Sequence, residues 1–212
     1  MHQTTYELAL ALRHELHQYP ELSCEEQGTK ARLMAFLKAH TKLEIVDRGR
    51  WFYAVHRGKP EGKKLAFRAD MDALPLTEKT DLPYASKIPG AMHACGHDAH
   101  TAMLLGTAKA LKAMEEKLTC RVMLVFQACE EGSDSGAREM VNDGLMDEID
   151  AIIGMHIENW LEVGTVGICP GVCMAASHPL HIEFHGKSAH ASLPQSGVDA
   201  LAMAVETYNG IM

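Results

Sequence analysis

The spacing of apolar residues along the first forty positions predicts two helices. Over residues 4–19, tyrosine and leucine side chains are interspersed with charged residues and histidines, which is typical of a helix with one solvent-facing side, and we place His17 on the helix surface. Pro20 ends this pattern. Because Ser23 followed three residues later by Glu26 has the form of a capping box, we predict a second helix over about residues 24–40.

Short apolar runs farther along the chain predict the strands of a sheet, separated by helical segments. The run before Gln127 is nearly continuous, which is the pattern of a strand buried on both faces, and residues 151–155 are predicted to form another buried strand. The predicted strands cover residues 43–46, 51–55, 64–69, 119–127 and 151–155, and further helices are predicted over about residues 102–118 and 134–142. Strands that alternate with helices predict an α/β fold with three layers, α/β/α.

The pattern changes near Pro179. Residues 181–185 alternate like a half-exposed strand, and a helix is predicted from Gly197 onward. We therefore predict a first domain over residues 1–177 and the beginning of an incomplete second domain over residues 178–212. The chain ends on a helical pattern with no strand after it, so we suspect a truncated protein.

Composition narrows the partners and the compartment. The chain has 20 basic and 28 acidic residues, a net charge of -8 and no Lys/Arg-rich run, which argues against nucleic acid or an anionic membrane as a partner. Its apolar runs are too short to span a membrane and its N-terminus is polar, so we expect a cytoplasmic protein. Six irregularly spaced cysteines indicate reduced thiols rather than a disulfide scaffold.

Residues 92–101 contain one thiol, three imidazoles and a carboxylate. In an extended stretch, Cys95 and His97 would project to the same side and could bind one ion. Glu131 and His156 each follow a predicted strand, and polar groups gather outside the strand ends of such sheets. We predict these four residues as metal ligands, a mixed sulfur, nitrogen and oxygen set suited to zinc, manganese or a similar divalent ion.

Several neighbouring residues have candidate roles around that site. Glu130, next to Glu131, could act as general base, although an isolated pair of glutamates is more often a solvated turn. His93, Asp98 and His100 could be ligands or groups that orient the ligands. Asp70 and Asp72 could orient a ligand or only cap the loop that follows their strand. Two ions are plausible, because a thiolate or carboxylate can bridge them.

Four motifs, taken together, resemble those of the N-acyl-amino-acid amidohydrolases. This subfamily of the aminoacylase and glutamate-carboxypeptidase metallopeptidases includes hippurate hydrolases and auxin-conjugate hydrolases. The motifs occur at residues 92–101, 126–132, 154–156 and 186–191. The resemblance implies a zinc-exopeptidase-like catalytic domain interrupted by a small α/β lid that also forms a homodimer.

The resemblance also implies a metal centre with two divalent ions. Cys95 resembles the thiolate that bridges them, with His97 and His156 on one ion and Glu131 on the other. Manganese or zinc is expected, and nickel or cobalt are further candidates. The family supplies its last ligand, a histidine, after the lid, and this residue is therefore expected beyond Met212.

The implied reaction is hydrolysis of the amide bond of an N-acyl amino acid, which releases a carboxylic acid and a free amino acid. Glu130 resembles the general base that activates water, and His190 resembles a lid histidine that steadies the oxyanion in the partner subunit. Alternatives are an inactive fragment that only binds metal or dimerises, and a dipeptidase or deacetylase of the same superfamily. Two departures stand out: Cys129 replaces a more usual alanine, and His178 a more usual aspartate.

Overall fold

The computed structural model describes residues 4–59, 62–132, 134–175 and 180–212. The helices in these ranges are α1 (Thr5–Gln18), α2 (Gln27–His40), α3 (His97–Met114), α4 (Gly136–Asn142) and α5 (Ala200–Ile211). The strands are β1 (Glu44–Arg48), β2 (Trp51–His56), β3 (Lys64–Asp70), β4 (Arg121–Gln127) and β5 (Ala151–Gly154). The chain forms two compact units, Met1–Trp160 and Leu161–Met212. The domain boundary predicted between residues 177 and 178 lies outside the described residues and stays a prediction.

The capping box predicted at Ser23 and Glu26 is wrong. A capping box does occur, but at the start of α1, where the side chains of Thr4 and Glu7 each accept a hydrogen bond from the backbone N–H of the other residue. Helix α2 begins only at Gln27, without a side-chain hydrogen bond at its cap. The Ser23 hydroxyl instead donates a hydrogen bond to Asp72, and the Glu26 carboxylate accepts one from the backbone N–H of Cys129.

The first unit contains a mixed sheet with strand order β1-β2-β4-β3-β5. Strand β3 is parallel to β4 and β5, whereas β2 is antiparallel to β1 and β4. In this register Asp70 lies opposite Gln127, and Arg68 lies opposite Gly154. The carboxyl ends of β3, β4 and β5 therefore meet at one edge of the sheet, as the sequence predicted.

Helices cover both faces of the sheet, which confirms the α/β prediction. Along β2 the side chains alternate between two apolar clusters. Phe52 packs in the cluster that contains leucines of α1, α2 and α3, while Trp51 and Tyr53 pack with Met140 of α4. Strand β4 is buried on both faces, as predicted. The prediction that β5 is buried is wrong: Ile152 and Ile153 are 40% and 46% exposed, because β5 lies next to β3 at the edge of the sheet that the described residues form.

In the second unit, the described residues form little regular structure besides α5. The strand predicted over residues 181–185 is wrong, since the described backbone there forms no strand and only Lys187 and Val198 make an isolated bridge. Helix α5 begins at Ala200, where Asp199 Oδ1 accepts two backbone N–H bonds. Among the described helices, none combines the length and the hydrophobicity needed to cross a membrane.

Candidate active site

A turn at Gly96 aims the thiol and the imidazole of the ligand motif at the strand ends. Gly96 has a φ of +87°, a left-handed conformation that glycine adopts without strain, and α3 begins at the next residue, His97. The extended geometry predicted for Cys95 to His97 is therefore wrong. The two side chains still meet, because the turn brings Cys95 beside the first residue of the helix.

In both candidate ligand histidines, Nδ1 makes a hydrogen bond to a backbone carbonyl oxygen. His97 Nδ1 lies 2.9 Å from the carbonyl oxygen of Asp72, and His156 Nδ1 lies 2.7 Å from that of Ile157. A carbonyl oxygen only accepts hydrogen bonds, so Nδ1 carries the proton in each ring. With Nδ1 donating to a carbonyl, each ring can offer the lone pair of Nε2, which is the donor that a metal ion requires.

Three donor atoms converge at the strand ends. Cys95 Sγ lies 3.3 Å from His156 Nε2, and the donor atoms of Cys95, His97 and His156 all lie within 4.8 Å of one another. His97 Nε2 is buried and has no hydrogen-bond partner among the described residues. A buried nitrogen lone pair beside a thiol and a second imidazole fits a divalent metal ion, which would satisfy all three donors.

The electrostatic surroundings also fit a cation. Glu131 Oε1 lies 3.7 Å and Asp70 Oδ2 lies 3.6 Å from His97 Nε2. Burial, the contact with Glu131 and the negative charges of nearby carboxylates raise the pKa of Cys95 to about 12. The site therefore concentrates negative charge that a divalent cation would neutralise.

The carboxylate of Asp72 connects three segments at the site. Its Oδ1 lies 3.1 Å from His97 Nδ1, and its Oδ2 accepts hydrogen bonds at 2.8 Å from both the Glu131 N–H and the Ser23 hydroxyl. Burial raises the pKa of Asp72, but these hydrogen bonds outweigh burial and lower it. Asp72 is thus an ionised acceptor that positions His97 and Glu131 together. Ser23 holds the Asp72 carboxylate, a role that the sequence analysis did not predict.

Asp70 organises the other side of the site through His100. His100 Nδ1 lies 2.6 Å from Asp70 Oδ1, and His100 Nε2 accepts a hydrogen bond at 2.9 Å from the N–H of Ile157, next to His156. Arg68 Nη1 donates to Asp70 Oδ2 at 2.7 Å. Burial raises the pKa of Asp70, but the His100 hydrogen bond and the Arg68 charge outweigh it and lower the pKa to about 2. Because both nitrogens of His100 are engaged, this residue orients the His156 segment.

Glu130 and Glu131 follow β4 but have different surroundings. The side chain of Glu130 is 40% exposed, and its Oε2 lies 4.0 Å from His97 Nε2. Partial burial, aided by the charges of Asp70 and Glu131, raises the pKa of Glu130. Glu131 is held by its backbone and faces His97, so the geometry makes Glu131 the ligand candidate and Glu130 the carboxylate that faces outward.

Asp98 faces α1. Its Oδ2 lies 2.9 Å from His17 Nδ1 and 3.2 Å from Arg13 Nε, and His17 Nε2 lies 3.3 Å from Glu78 Oε1. His17, which the sequence reading placed on a helix surface, is 5% exposed, so that reading was wrong. The hydrogen bond to Asp98 raises the pKa of His17 despite its burial. His93 is also buried, and neither of its ring nitrogens has a hydrogen-bond partner among the described residues.

The two residues that the sequence analysis assigned to the implied lid are His190 and His178. His190 lies in the second unit, exposed, with Nδ1 2.8 Å from Ser192 Oγ, and its role in a partner subunit stays a prediction. His178 lies outside the described residues. The expectation of reduced thiols rather than a disulfide scaffold is wrong for two of the six cysteines, because the structure pairs Cys24 with Cys129 as a disulfide.

Together, the α/β fold and the convergent donors define an α/β protein with a candidate metal site at the carboxyl edge of its sheet. Residues 66–211 match Peptidase family M20/M25/M40, and the chain belongs to this family. The resemblance drawn from the four motifs is thereby confirmed.

Three similar proteins show how much of the chain the likeness covers. The chain is 46% identical to an N-acetyl-L-cysteine deacetylase of Bacillus subtilis over 91% of this chain and 46% of that protein. It is 39% identical to an N-acyl-L-amino acid amidohydrolase of Geobacillus stearothermophilus over 95% of this chain and 55% of that protein. Its fold matches the B. subtilis YXEP protein, a dinuclear metal binding peptidase, with a TM-score of 0.74 and 39% identity over 79% of this chain and 47% of that one. The chain thus spans about half the length of these relatives.

Proposed function

We propose that the protein hydrolyses the amide bond of N-acyl amino acids and releases a carboxylic acid and a free amino acid. The observation that carries the proposal is the convergence of Cys95, His97 and His156 donor atoms beside Glu130 and Glu131. The names of the two relatives support it, since one is a deacetylase of N-acetyl-L-cysteine and the other an N-acyl-L-amino acid amidohydrolase. We therefore expect an acetyl or an aromatic acyl group on the amino acid that is released.

Two divalent ions per active site are proposed, in line with the dinuclear YXEP protein. Cys95 would be a ligand shared by both ions, His97 and His156 would hold one, and Glu131 would hold the other. Manganese or zinc suits this mixed donor set, with nickel or cobalt as further candidates. When bound, such ions polarise the scissile carbonyl and make water easier to deprotonate at neutral pH.

The protein's own side chains would then move the proton and orient the ligands. Glu130, partly exposed and with a raised pKa, would take a proton from the attacking water at a carboxylate oxygen. It would later donate that proton to the leaving nitrogen of the amino acid. Asp72 and His100, which each hold a candidate ligand segment, would keep the donors in place throughout.

The remaining features of the proposal concern assembly and place of action. His190 would steady the oxyanion in the active site of a partner subunit, which requires a homodimer formed through the lid. A small-molecule substrate and a cytoplasmic location complete the proposal. Neither nucleic acid nor membrane is a proposed partner, given the net charge of -8.

The test is release of free amino acid by the purified protein loaded with Mn²⁺ or Zn²⁺. The panel should contain N-acetyl-L-cysteine, other N-acetyl amino acids, N-benzoylglycine and several dipeptides, with primary amine measured over time. We expect turnover of N-acyl amino acids and its loss after chelation. Turnover of dipeptides alone would instead favour a dipeptidase, and no turnover by the metal-loaded protein would favour a role limited to metal binding or dimerisation.

A further inference from the structure

Cys24 and Cys129 bring together two distant segments directly behind the active site. They lie 105 residues apart in the sequence, their Cα atoms are 4.9 Å apart, and the structure joins their sulfurs as a disulfide. Both residues have left-handed backbone conformations, with φ values of +70° and +51°. Non-glycine residues adopt this conformation at an energetic cost, and they keep it where the surroundings hold them.

Two further side chains contact both cysteines: the buried carboxylate of Glu26 and the guanidinium of Arg50. Glu26 Oε1 accepts the N–H of Cys24 at 3.0 Å and the N–H of Cys129 at 2.8 Å. Arg50 Nη1 lies 3.5 Å from the Cys24 sulfur and 3.3 Å from the Cys129 sulfur. These contacts place the two sulfurs side by side, within reach of a covalent bond.

Arg50 is itself anchored, so its position beside the sulfurs is fixed. Its Nη1 donates to Asp134 at 2.7 Å, and its Nη2 lies 2.6 Å from a carboxylate oxygen of Glu139. The guanidinium lies 3.3 Å from the Cys129 sulfur, so its positive charge stabilises the thiolate that leaves Cys24 when the bond opens. The ion pairs with Asp134 and Glu139 therefore keep the Arg50 guanidinium next to both cysteine sulfurs.

The pair is connected to the proposed metal ligands by short steps. Ser23, which precedes Cys24, donates to Asp72, and Asp72 also accepts the N–H of Glu131, two residues after Cys129. The covalent bond therefore closes a ring of contacts that runs through Ser23, Asp72 and Glu131. Opening the bond would free both cysteines to leave their left-handed conformations and would loosen the segment that bears Glu131.

We propose that Cys24 and Cys129 form a reversible disulfide, a site of exchange with low-molecular-weight thiols and disulfides, which sets how firmly the metal-ligand segment is held. Cys24 is partly exposed whereas Cys129 is fully buried, so exchange enters at Cys24. In reduction, an external thiolate attacks the Cys24 sulfur and displaces the Cys129 thiolate, and a second external thiol releases Cys24 as a new small disulfide forms. The net exchange converts two small thiols into one small disulfide and the protein disulfide into two cysteine thiols.

The reverse direction gives the oxidised form with the same balance. The Cys24 thiolate attacks a small disulfide, one small thiol leaves, and Cys129 then attacks the mixed disulfide at Cys24 and releases the second thiol. The functional consequence rests on the proposed function: with the bond closed, Glu131 stays beside His97, and the site binds metal more tightly. The redox chemistry itself does not depend on catalysis.

The first experiment maps the bond. Purified protein is equilibrated with glutathione and glutathione disulfide at several ratios, alkylated, digested and analysed by mass spectrometry. We expect a peptide cross-linked through Cys24 and Cys129 that forms at high disulfide ratios and disappears at high thiol ratios, while Cys95 stays alkylated. Cys120→Ser is the matched control and should retain the cross-link. Alkylation of both Cys24 and Cys129 at every ratio, or a cross-link that no thiol concentration opens, would overturn the proposal.

The second experiment measures coupling to the metal site. After small thiols are removed, Mn²⁺ binding to oxidised and reduced protein is measured by titration calorimetry, with Cys129→Ala as the variant that cannot switch. We expect the oxidised wild type to bind Mn²⁺ about tenfold more tightly than the reduced form. Cys129→Ala should bind equally before and after oxidant treatment. Equal affinity of the two wild-type forms would overturn the coupling and leave the proposed function intact, whereas absence of Mn²⁺ binding in both forms would count against both.

Discussion

Asp72 and His97 are joined twice: His97 Nδ1 lies 2.9 Å from the backbone carbonyl oxygen of Asp72 and 3.1 Å from its carboxylate. The same carboxylate accepts the N–H of Glu131, so one residue sets the position of two proposed ligands. Asp72→Ala should therefore weaken Mn²⁺ binding by about 10- to 100-fold, the range found when groups that orient metal ligands are removed. Titration calorimetry with Mn²⁺ measures this loss.

Asp81→Ala is the matched control for that variant, because Asp81 is an exposed carboxylate in the loop that follows β3. It should leave Mn²⁺ affinity unchanged. If Asp72→Ala binds Mn²⁺ as tightly as the control, Asp72 caps the loop and does not position the ligands.

Metal binding at Cys95 should release a proton. In the metal-free protein, burial and nearby carboxylates raise the pKa of Cys95 to about 12, so its thiol is neutral at pH 7. A metal ion binds the thiolate, and affinity should therefore rise with pH. Calorimetric titration with Zn²⁺ in buffers of different ionisation enthalpy should show that the wild type releases about one proton more than Cys95→Ala.

Cys169→Ala, which removes an exposed thiol, should release as many protons as the wild type. If Cys95→Ala also releases as many, the thiol is not a ligand.

We also expect that protein loaded with a single ion holds it on Cys95, His97 and His156, so that His156→Ala abolishes this binding. A lone ion retained in His156→Ala but lost in Glu131→Gln would contradict the assignment.

Glu130→Gln should separate catalysis from metal binding. The amide cannot take a proton from water, so kcat should fall by about 10²- to 10⁴-fold, the usual contribution of a general base. Metal content should remain that of the wild type, since Glu131 faces His97 at 3.7 Å whereas Glu130 lies farther away and more exposed. Steady-state hydrolysis of an N-acetyl amino acid and metal analysis of the same sample measure both effects, with the exposed Glu25→Gln as control.

Much of the site could be predicted because it follows from local pattern and sheet geometry. Apolar runs identify β3 and β4, and parallel strands bring their carboxyl ends to the same edge. Residues in the loops that begin at these strand ends, such as Asp72 and Glu131, therefore meet although they are distant in sequence. The α/β class follows from the same alternation of strands and helices.

The rest depended on contacts that local pattern does not encode. Ser23 lies 49 residues from Asp72, and the local signal of a capping box gave way to this hydrogen bond. His17 lies 81 residues from Asp98 and was misplaced on a surface because its helix has a polar side. Side-chain pairs of this kind form only when helices and strands pack together. The sequence around a polar residue therefore does not indicate which distant residue it will bind.

Burial of His93 should make the fold sensitive to mild acid. Burial lowers the pKa of His93 to about 4, whereas an unfolded histidine has a pKa of about 6.5. Between these pH values His93 is protonated in the unfolded chain and neutral in the folded protein. Protonation of the unfolded chain therefore lowers the free energy of unfolding as the pH falls from 6.5 toward 4, and it has no such effect above pH 6.5. The effect corresponds to about 3 kcal/mol in the free energy of unfolding.

His93→Leu should remove that acid sensitivity, because leucine fills the buried site without a titrating group. Urea unfolding of the metal-free protein at pH 4.5, 5.5 and 6.5 should show that the stability difference between His93→Leu and wild type grows in favour of the variant as the pH falls. Taking the difference cancels the carboxylates shared by both proteins, and His181→Leu controls for the loss of a histidine at an exposed position. A difference that stays constant over this range would mean that His93 keeps its ordinary pKa, and hence that a partner or water solvates its ring nitrogens in the folded protein.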